Sequence, residues 1–311
     1  MDMYQKRKMR AEKKNNDCQG SFSKAVISWF PGHMAKAERY LKEDLKKVDM
    51  VVEVLDSRIP LSSQNPDLDK IINNKPKIIV LNKSDLSDEK ITSKWIEYFK
   101  NLGNICIPFS IYNLKNIEIF KNNVKILMNK KLENQKLKGF LNPKVRIMIV
   151  GIPNVGNSSL INKISKNKKA KVENRPGVTR RNQWFSAGDC IEILDTPGVL
   201  WPKFENETVA YNLSFTGAIK DNVLDVEDLA QNFINETKSI YYVNFSKRFK
   251  LSEDVFKNFS CESIIEEIAR KRGMILPGGD IDKFRVSKTI LEEYRSGKLG
   301  KITLEIPENF C

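Results

Sequence analysis

The sequence predicts an α/β protein: a mostly parallel sheet with helices on both faces, followed by a small all-helical unit. Three observations predict it. Apolar runs suited to buried strands, at 49–55, 78–81 and 145–150, alternate with helical patterns, and such alternation joins parallel strands by crossover helices. Each run stops at a polar motif, and ligands of such sheets bind beyond the carboxyl ends of the strands. After about residue 205 helical patterns dominate.

In chain order, residues 1–24 are polar and basic and read as a disordered tail. From Met34 to Val48 a helical pattern sets Ala35, Leu41, Leu45 and Val48 among charges. The first strand ends at Asp56-Ser57-Arg58 and the second at Asn82-Lys83-Ser84-Asp85. A helix near 88–101, a short strand at 105–107 and a lysine-rich helix near 114–130 follow, then a predicted linker over 131–144. The third strand runs into a Gly-rich turn and a helix. Beyond it, helices are expected near 223–234, 236–248, 261–272 and 281–296. The resulting units are 1–24, 25–205 and 206–311.

A chain of 311 residues with 41% apolar residues can bury a sizeable core. No run approaches the roughly 18 apolar residues of a membrane span, and the first twenty residues lack the apolar segment of a secretory signal. A cytoplasmic monomer without a membrane partner is expected. The five cysteines are scattered, with no CxxC pair, and read as free thiols. Net charge is +14. It is concentrated at 1–48 (twelve Lys/Arg against six Asp/Glu), 115–147 (nine against two) and 163–181 (eight against one). Basic blocks of this kind suit a polyanion, with phosphate contacts supplying affinity.

The turn after the third strand carries the chemistry. Gly151-Ile152-Pro153-Asn154-Val155-Gly156-Asn157-Ser158-Ser159 follows a strand and opens a helix, the context in which backbone N–H groups and a helix N-terminus cradle phosphate. Ser158 stands where a hydroxyl would ligate Mg²⁺. A lysine normally precedes that serine, and here it is Asn157. Losing a charge-assisted hydrogen bond of about 1.5–3 kcal/mol predicts nucleotide binding weaker by roughly ten- to a hundredfold. Asp195-Thr196-Pro197-Gly198 ends an apolar run. It suits a carboxylate holding Mg²⁺ and a backbone N–H sensing the γ-phosphate, with Thr179 as a second Mg²⁺ ligand. Asn82, Lys83 and Asp85 of the Asn82-Lys83-Ser84-Asp85 motif are expected to read guanine: the Asp85 carboxylate can accept from guanine N1–H and the 2-amino group, which adenine does not offer. Ser110 is placed to contact guanine O6 through its backbone. The set favours GTP. Base recognition precedes phosphate binding, so a circularly permuted GTPase domain is expected.

Residues 29–37 (WFPGHMAKA), Asp56-Ser57-Arg58-Ile59-Pro60, the NKSD, GIPNVGNSSLIN, PGVT and DTPGVLWPK segments and the tail at 297–305 together resemble the bacterial ribosome biogenesis GTPase A family, over about residues 28–305. The resemblance implies a GTPase that binds the immature large subunit late in assembly, with a helical C-terminal domain contacting ribosomal RNA. It implies that His33 positions water, since Val199 stands where other GTPases have glutamine. It also implies that Asn154 belongs to a K⁺ site near the phosphates. For Asp56 and Arg58 a structural ion pair is expected. The alternative left open by Asn157 is a catalytically impaired relative that acts as an RNA-binding scaffold.

Overall fold

The computed structural model describes residues 32–165, 183–188, 190–196, 198, 207–219, 221 and 225–310. Six strands form one sheet in the order β3-β2-β1-β4-β6-β5: β1 Met50–Asp56, β2 Lys77–Asn82, β3 Ile105–Phe109, β4 Val145–Gly151, β5 Gln183–Ser186 and β6 Ile191–Asp195. All pairs are parallel except β5 with β6. Register aligns the polar strand ends: Asp56 lies beside Asn82, Asn82 beside Phe109, Val54 beside Gly151 and Ile149 beside Asp195. The motifs therefore share one edge of the sheet.

Side chains alternate between the two faces, as the strand period requires. Val51, Met148, Val150 and Leu194 pack with Leu41 and Leu45 of α1 (Gly32–Leu45) and Leu68 and Ile72 of α2 (Leu68–Ile72). On the same side, Leu55, Ile79 and Leu81 pack with Trp95 and Phe99 of α3 (Glu89–Asn101). Asp88 caps α3 by accepting from the Lys90 and Ile91 N–H groups. Val52, Val54, Ile147, Ile149 and Ile193 face the other way. They share one continuous core with Phe120 of α4 (Lys115–Leu127), Leu160 of α6 (Asn157–Ile164) and the helical region.

That region holds α7 Glu207–Phe215, α8 Val226–Phe249, α9 Glu253–Asn258, α10 Cys261–Arg272 and α11 Lys283–Arg295. Three expectations need correction. Residues 129–137 form a helix, α5 (Asn129–Leu137), where a linker was predicted. It buries no residue, so no apolar stripe marks it. The helices expected at 223–234 and 236–248 are one run, α8, interrupted at Tyr241 (φ −112, ψ 21) rather than near 235. The Tyr241 hydroxyl there donates to Thr303 O (3.0 Å) and accepts from Thr303 N (3.1 Å). Helices α7 and α9 and the edge strand β5 were not foreseen.

Residues 302–308 return from the helical region to the sheet. Ile302 N donates to Leu86 O, and Leu304 N to Arg58 O. The buried Glu305 carboxylate accepts from Leu61 N (2.7 Å), Ser62 N (2.9 Å) and Asn212 Nδ2 (3.2 Å). Trp95 Nε1 donates to Glu305 O (2.9 Å). Glu305→Ala leaves two buried backbone donors without acceptors. It is expected to lower unfolding free energy by about 2–5 kcal/mol, read by urea denaturation, and a loss below about 1 kcal/mol would contradict this assignment.

Candidate nucleotide site

The turn between β4 and α6 is shaped by steric need. A Cβ on Gly151 would lie 2.7 Å from Val54 O and 2.8 Å from Asn157 Oδ1. Asn154 (φ 59) and Gly156 (φ 102) adopt left-handed backbone. Gly156 is the N-cap of α6 and supplies no side-chain acceptor. The first-turn N–H groups of α6 therefore receive no side-chain cap from Gly156, and uncapped groups of this kind are what an anion site uses. Val155 is buried, while Ser158 and Ser159 are half-buried.

Two side chains at the end of β2, Asn82 within it and Lys83 just after it, hold this turn. Asn82 Nδ2 donates to Val155 O (2.8 Å). Lys83, itself left-handed (φ 57), donates to Asn154 O (2.7 Å) and to Asp56 Oδ2 (2.9 Å). Asn82 and Lys83 thus tie the guanine motif to the phosphate turn, and Asp85 is its half-buried carboxylate. Ser84 N donates to Phe109 O (3.1 Å), which brings Asp85 and Ser110 into one loop cluster. A cavity of about 340 Å³ lies between Ile111-Tyr112 and Ser159, Asn162 and Lys163 of α6. It offers space between the loop that follows Ser110 and α6.

Behind the turn lies a buried charge cluster. Arg58 grips Asp56 through two bonds of 2.8 Å, and neither side chain is exposed. Burial alone would raise the Asp56 carboxyl, but the charges of Arg58 and Lys83 outweigh it and hold it well below the usual carboxylate range. The Arg58 guanidinium lies 4.8 Å from the Tyr294 ring centroid of α11. Asn154 Nδ2 donates to Gly217 O (2.6 Å), just past α7. Arg295 donates to Ser214 O and Phe215 O and pairs with Asp221. These links to α7 and α11 were missed by sequence reasoning. Asp56 and Arg58 carried a signal at their strand end, whereas Gly217 and Asp221 carried none.

At the end of β6, Asp195 is buried, and burial pushes its carboxyl up to about 6. Among the described residues its Oδ1 has no partner, nor do Asn157 Oδ1 and Asn82 Oδ1. Gly198 sits close against the turn, where a Cβ would fall 2.7 Å from Pro153 N. An unpartnered buried carboxylate oxygen fits Mg²⁺, because a nearby cation restores its charged form. Among the described residues no cluster of three His, Cys, Asp or Glu could hold a metal alone. A magnesium ion that takes most ligands from water and phosphate needs no such cluster. His33 falls in the first turn of α1, with its side chain outside the described residues. Thr179 and Val199 also lie outside them.

A helix end open to phosphate, tied to a loop able to read guanine, defines a P-loop GTPase domain whose base-reading half comes first in the chain. A family described as 50S ribosome-binding GTPase matches residues 146–252. That match starts at β4 and leaves out the base-reading strands, as a permuted order requires. Ribosome biogenesis GTPase A of Bacillus cereus is 43% identical over 92% of this chain and 95% of its own. The Thermotoga maritima protein of that name is 34% identical over 91% and 95%. The GDP-bound structure of TM YlqF matches with a TM-score of 0.61 at 30% identity, over 87% of this chain and all of that one. The chain belongs to the ribosome biogenesis GTPase A family. No described helix is long and apolar enough to cross a membrane.

Proposed function

We propose that this protein binds and hydrolyses GTP and uses that cycle in assembly of the large ribosomal subunit; its relatives are named ribosome biogenesis GTPases, and the matching family is described as 50S ribosome-binding. The observation that carries the reading is the tie of Asn82 and Lys83 to the phosphate turn, which fixes base and phosphate recognition relative to one another. In this reading the α6 N-terminus, from Val155 to Ser159, holds the phosphates, and Asp85 and Ser110 select guanine. Ser158, Asp195 and Thr179 would hold Mg²⁺, which would neutralise phosphate charge during transfer. Asn154 would contribute to a K⁺ site and Gly198 N–H would report the γ-phosphate. His33 would orient the attacking water. A GTPase domain over 25–205 and a helical domain over 206–311 that meets ribosomal RNA, in a cytoplasmic monomer, complete the proposal.

Asn157 favours a second reading, an RNA-binding scaffold with little turnover. Titration with fluorescent GTP and ATP analogues, followed by phosphate release with large subunits in K⁺ or Na⁺, separates the two. Guanine-selective binding with subunit-stimulated hydrolysis supports the GTPase. Subunit binding without nucleotide binding supports the scaffold, and failure of both overturns the proposal.

A further inference from the structure

At the opposite edge of the sheet from the nucleotide turn lies a cavity of about 560 Å³. Seven residues of β4 separate the two edges, roughly 20 Å at the usual strand rise. Lys46, Lys47, Lys131, Lys144 and Arg146 line it. The two lining carboxylates are already engaged: Asp49 with Lys131, and Glu192 with Lys144 (2.7 Å) and Arg146 (3.2 Å). Lys47 pairs with Asp44 outside the cavity (2.7 Å). Positive charge remains in excess, and the exposed Lys130, Lys136 and Lys138 on and just after α5 add to it.

One aromatic side chain lines the cavity, Phe140, 57% exposed; Trp184, 37% exposed, stands outside the lining beside Arg146. Phe140 does not hang from a loose loop. Gly139 N donates to Lys136 O and Phe140 N to Gln135 O, closing the end of α5. Gln135 Oε1 accepts from Lys144 N (2.9 Å) and pins the far side of the same loop. Arg146 lies 5.4 Å from the Trp184 ring centroid. Leaving a large apolar side chain in water forgoes about 1.5–3 kcal/mol, so a held-out aromatic beside cations calls for a ligand with both faces and charges. Stacked bases on a phosphate backbone have both. An acidic peptide would use the cations and leave the rings idle.

We propose that this cavity is a binding site for single-stranded RNA, with Phe140 stacking a base and Lys46, Lys144 and Arg146 meeting phosphates. Trp184, beside Arg146 and outside the lining, offers a second ring to a strand that runs past the cavity. The proposal rests on the ribosomal reading above and gives that reading a contact surface on the GTPase domain. Because it lies across the sheet from α6, it is compatible with bound nucleotide.

The test uses the full-length protein and a fluorescein-labelled oligouridine, followed by anisotropy over a KCl series, with fluorescent GDP binding as the check on folding. Phe140→Ala and the pair Lys46→Glu/Lys144→Glu are each expected to weaken RNA binding by at least about tenfold. The charge pair should also flatten the salt dependence. Phe140→Tyr should keep affinity near wild type, since it retains the stacking ring. Lys90→Glu, exposed on α3, should change little. Unchanged affinity in the cavity variants, failure of Phe140→Tyr to bind, or preference for polyglutamate over RNA would each overturn the site. Cavity variants that keep subunit-stimulated GTP hydrolysis while RNA affinity is unchanged would sink this site and leave the GTPase reading standing.

Discussion

Asp56→Ala is expected to lower the unfolding free energy by about 3–5 kcal/mol, because it leaves the buried Arg58, and the partly buried Lys83 beside it, without their counter-charge. Arg58 cannot shed its proton, and its guanidinium has no water to turn to. Arg58 and Asp56 are both fully buried, and Lys83 shares the same carboxylate. The measurement is urea denaturation of the nucleotide-free protein. Asp56→Asn keeps the shape and one acceptor, so it should lose less than alanine does. Removing Asp56 and Arg58 together, as Asp56→Leu/Arg58→Met, should recover part of the loss, since a double change abolishes the orphan rather than creating it. A drop smaller than about 1 kcal/mol in Asp56→Ala would mean the cluster is hydrated rather than dry. A functional loss should accompany the structural one. With Asp56 gone, Lys83 keeps, among the described residues, its bond to Asn154 O, and affinity for guanine nucleotides should fall alongside stability.

Asn157→Lys is expected to tighten GTP binding by roughly ten- to a hundredfold, the worth of one charge-assisted hydrogen bond to phosphate, and to raise turnover as well. The site has room in charge though not in volume: Asn157 is nearly buried and its Oδ1 lacks a partner. A lysine there must extend past the turn toward the phosphates, which is where its ammonium contributes. Titration with a fluorescent GTP analogue, in wild type and variant side by side, reads the first effect, and phosphate release with large subunits reads the second. No change in either would show that the backbone donors of α6 already saturate the phosphates.

Much of the sheet was legible because its strands are short apolar runs that stop at polar residues, the near-continuous pattern of strands covered on both faces. Asp56, Asn82, Gly151 and Asp195 could be placed on a common edge from that alone. Who each side chain binds could not. Asn82 and Lys83 find their partners more than seventy residues away, and spacing within a motif carries no information about such neighbours. Strand β5 is four residues long and sits at an edge, too short for a pattern to emerge. Helix α5 escaped for the opposite reason, since a helix without a buried face has the composition of a linker. The folding-back of residues 302–308 left no local signature, because each of its bonds reaches across the chain.

That returning segment also bears on the timing of synthesis. The N–H groups of Leu61 and Ser62 belong to the earliest-made strand-end loop, yet their acceptor, Glu305, emerges 244 and 243 residues later. A nascent chain that folds from its N-terminus would therefore assemble β1 to β3 with this loop uncapped, and with Trp95 lacking the carbonyl it bonds in the finished protein. The half that reads the base is translated first but locked last.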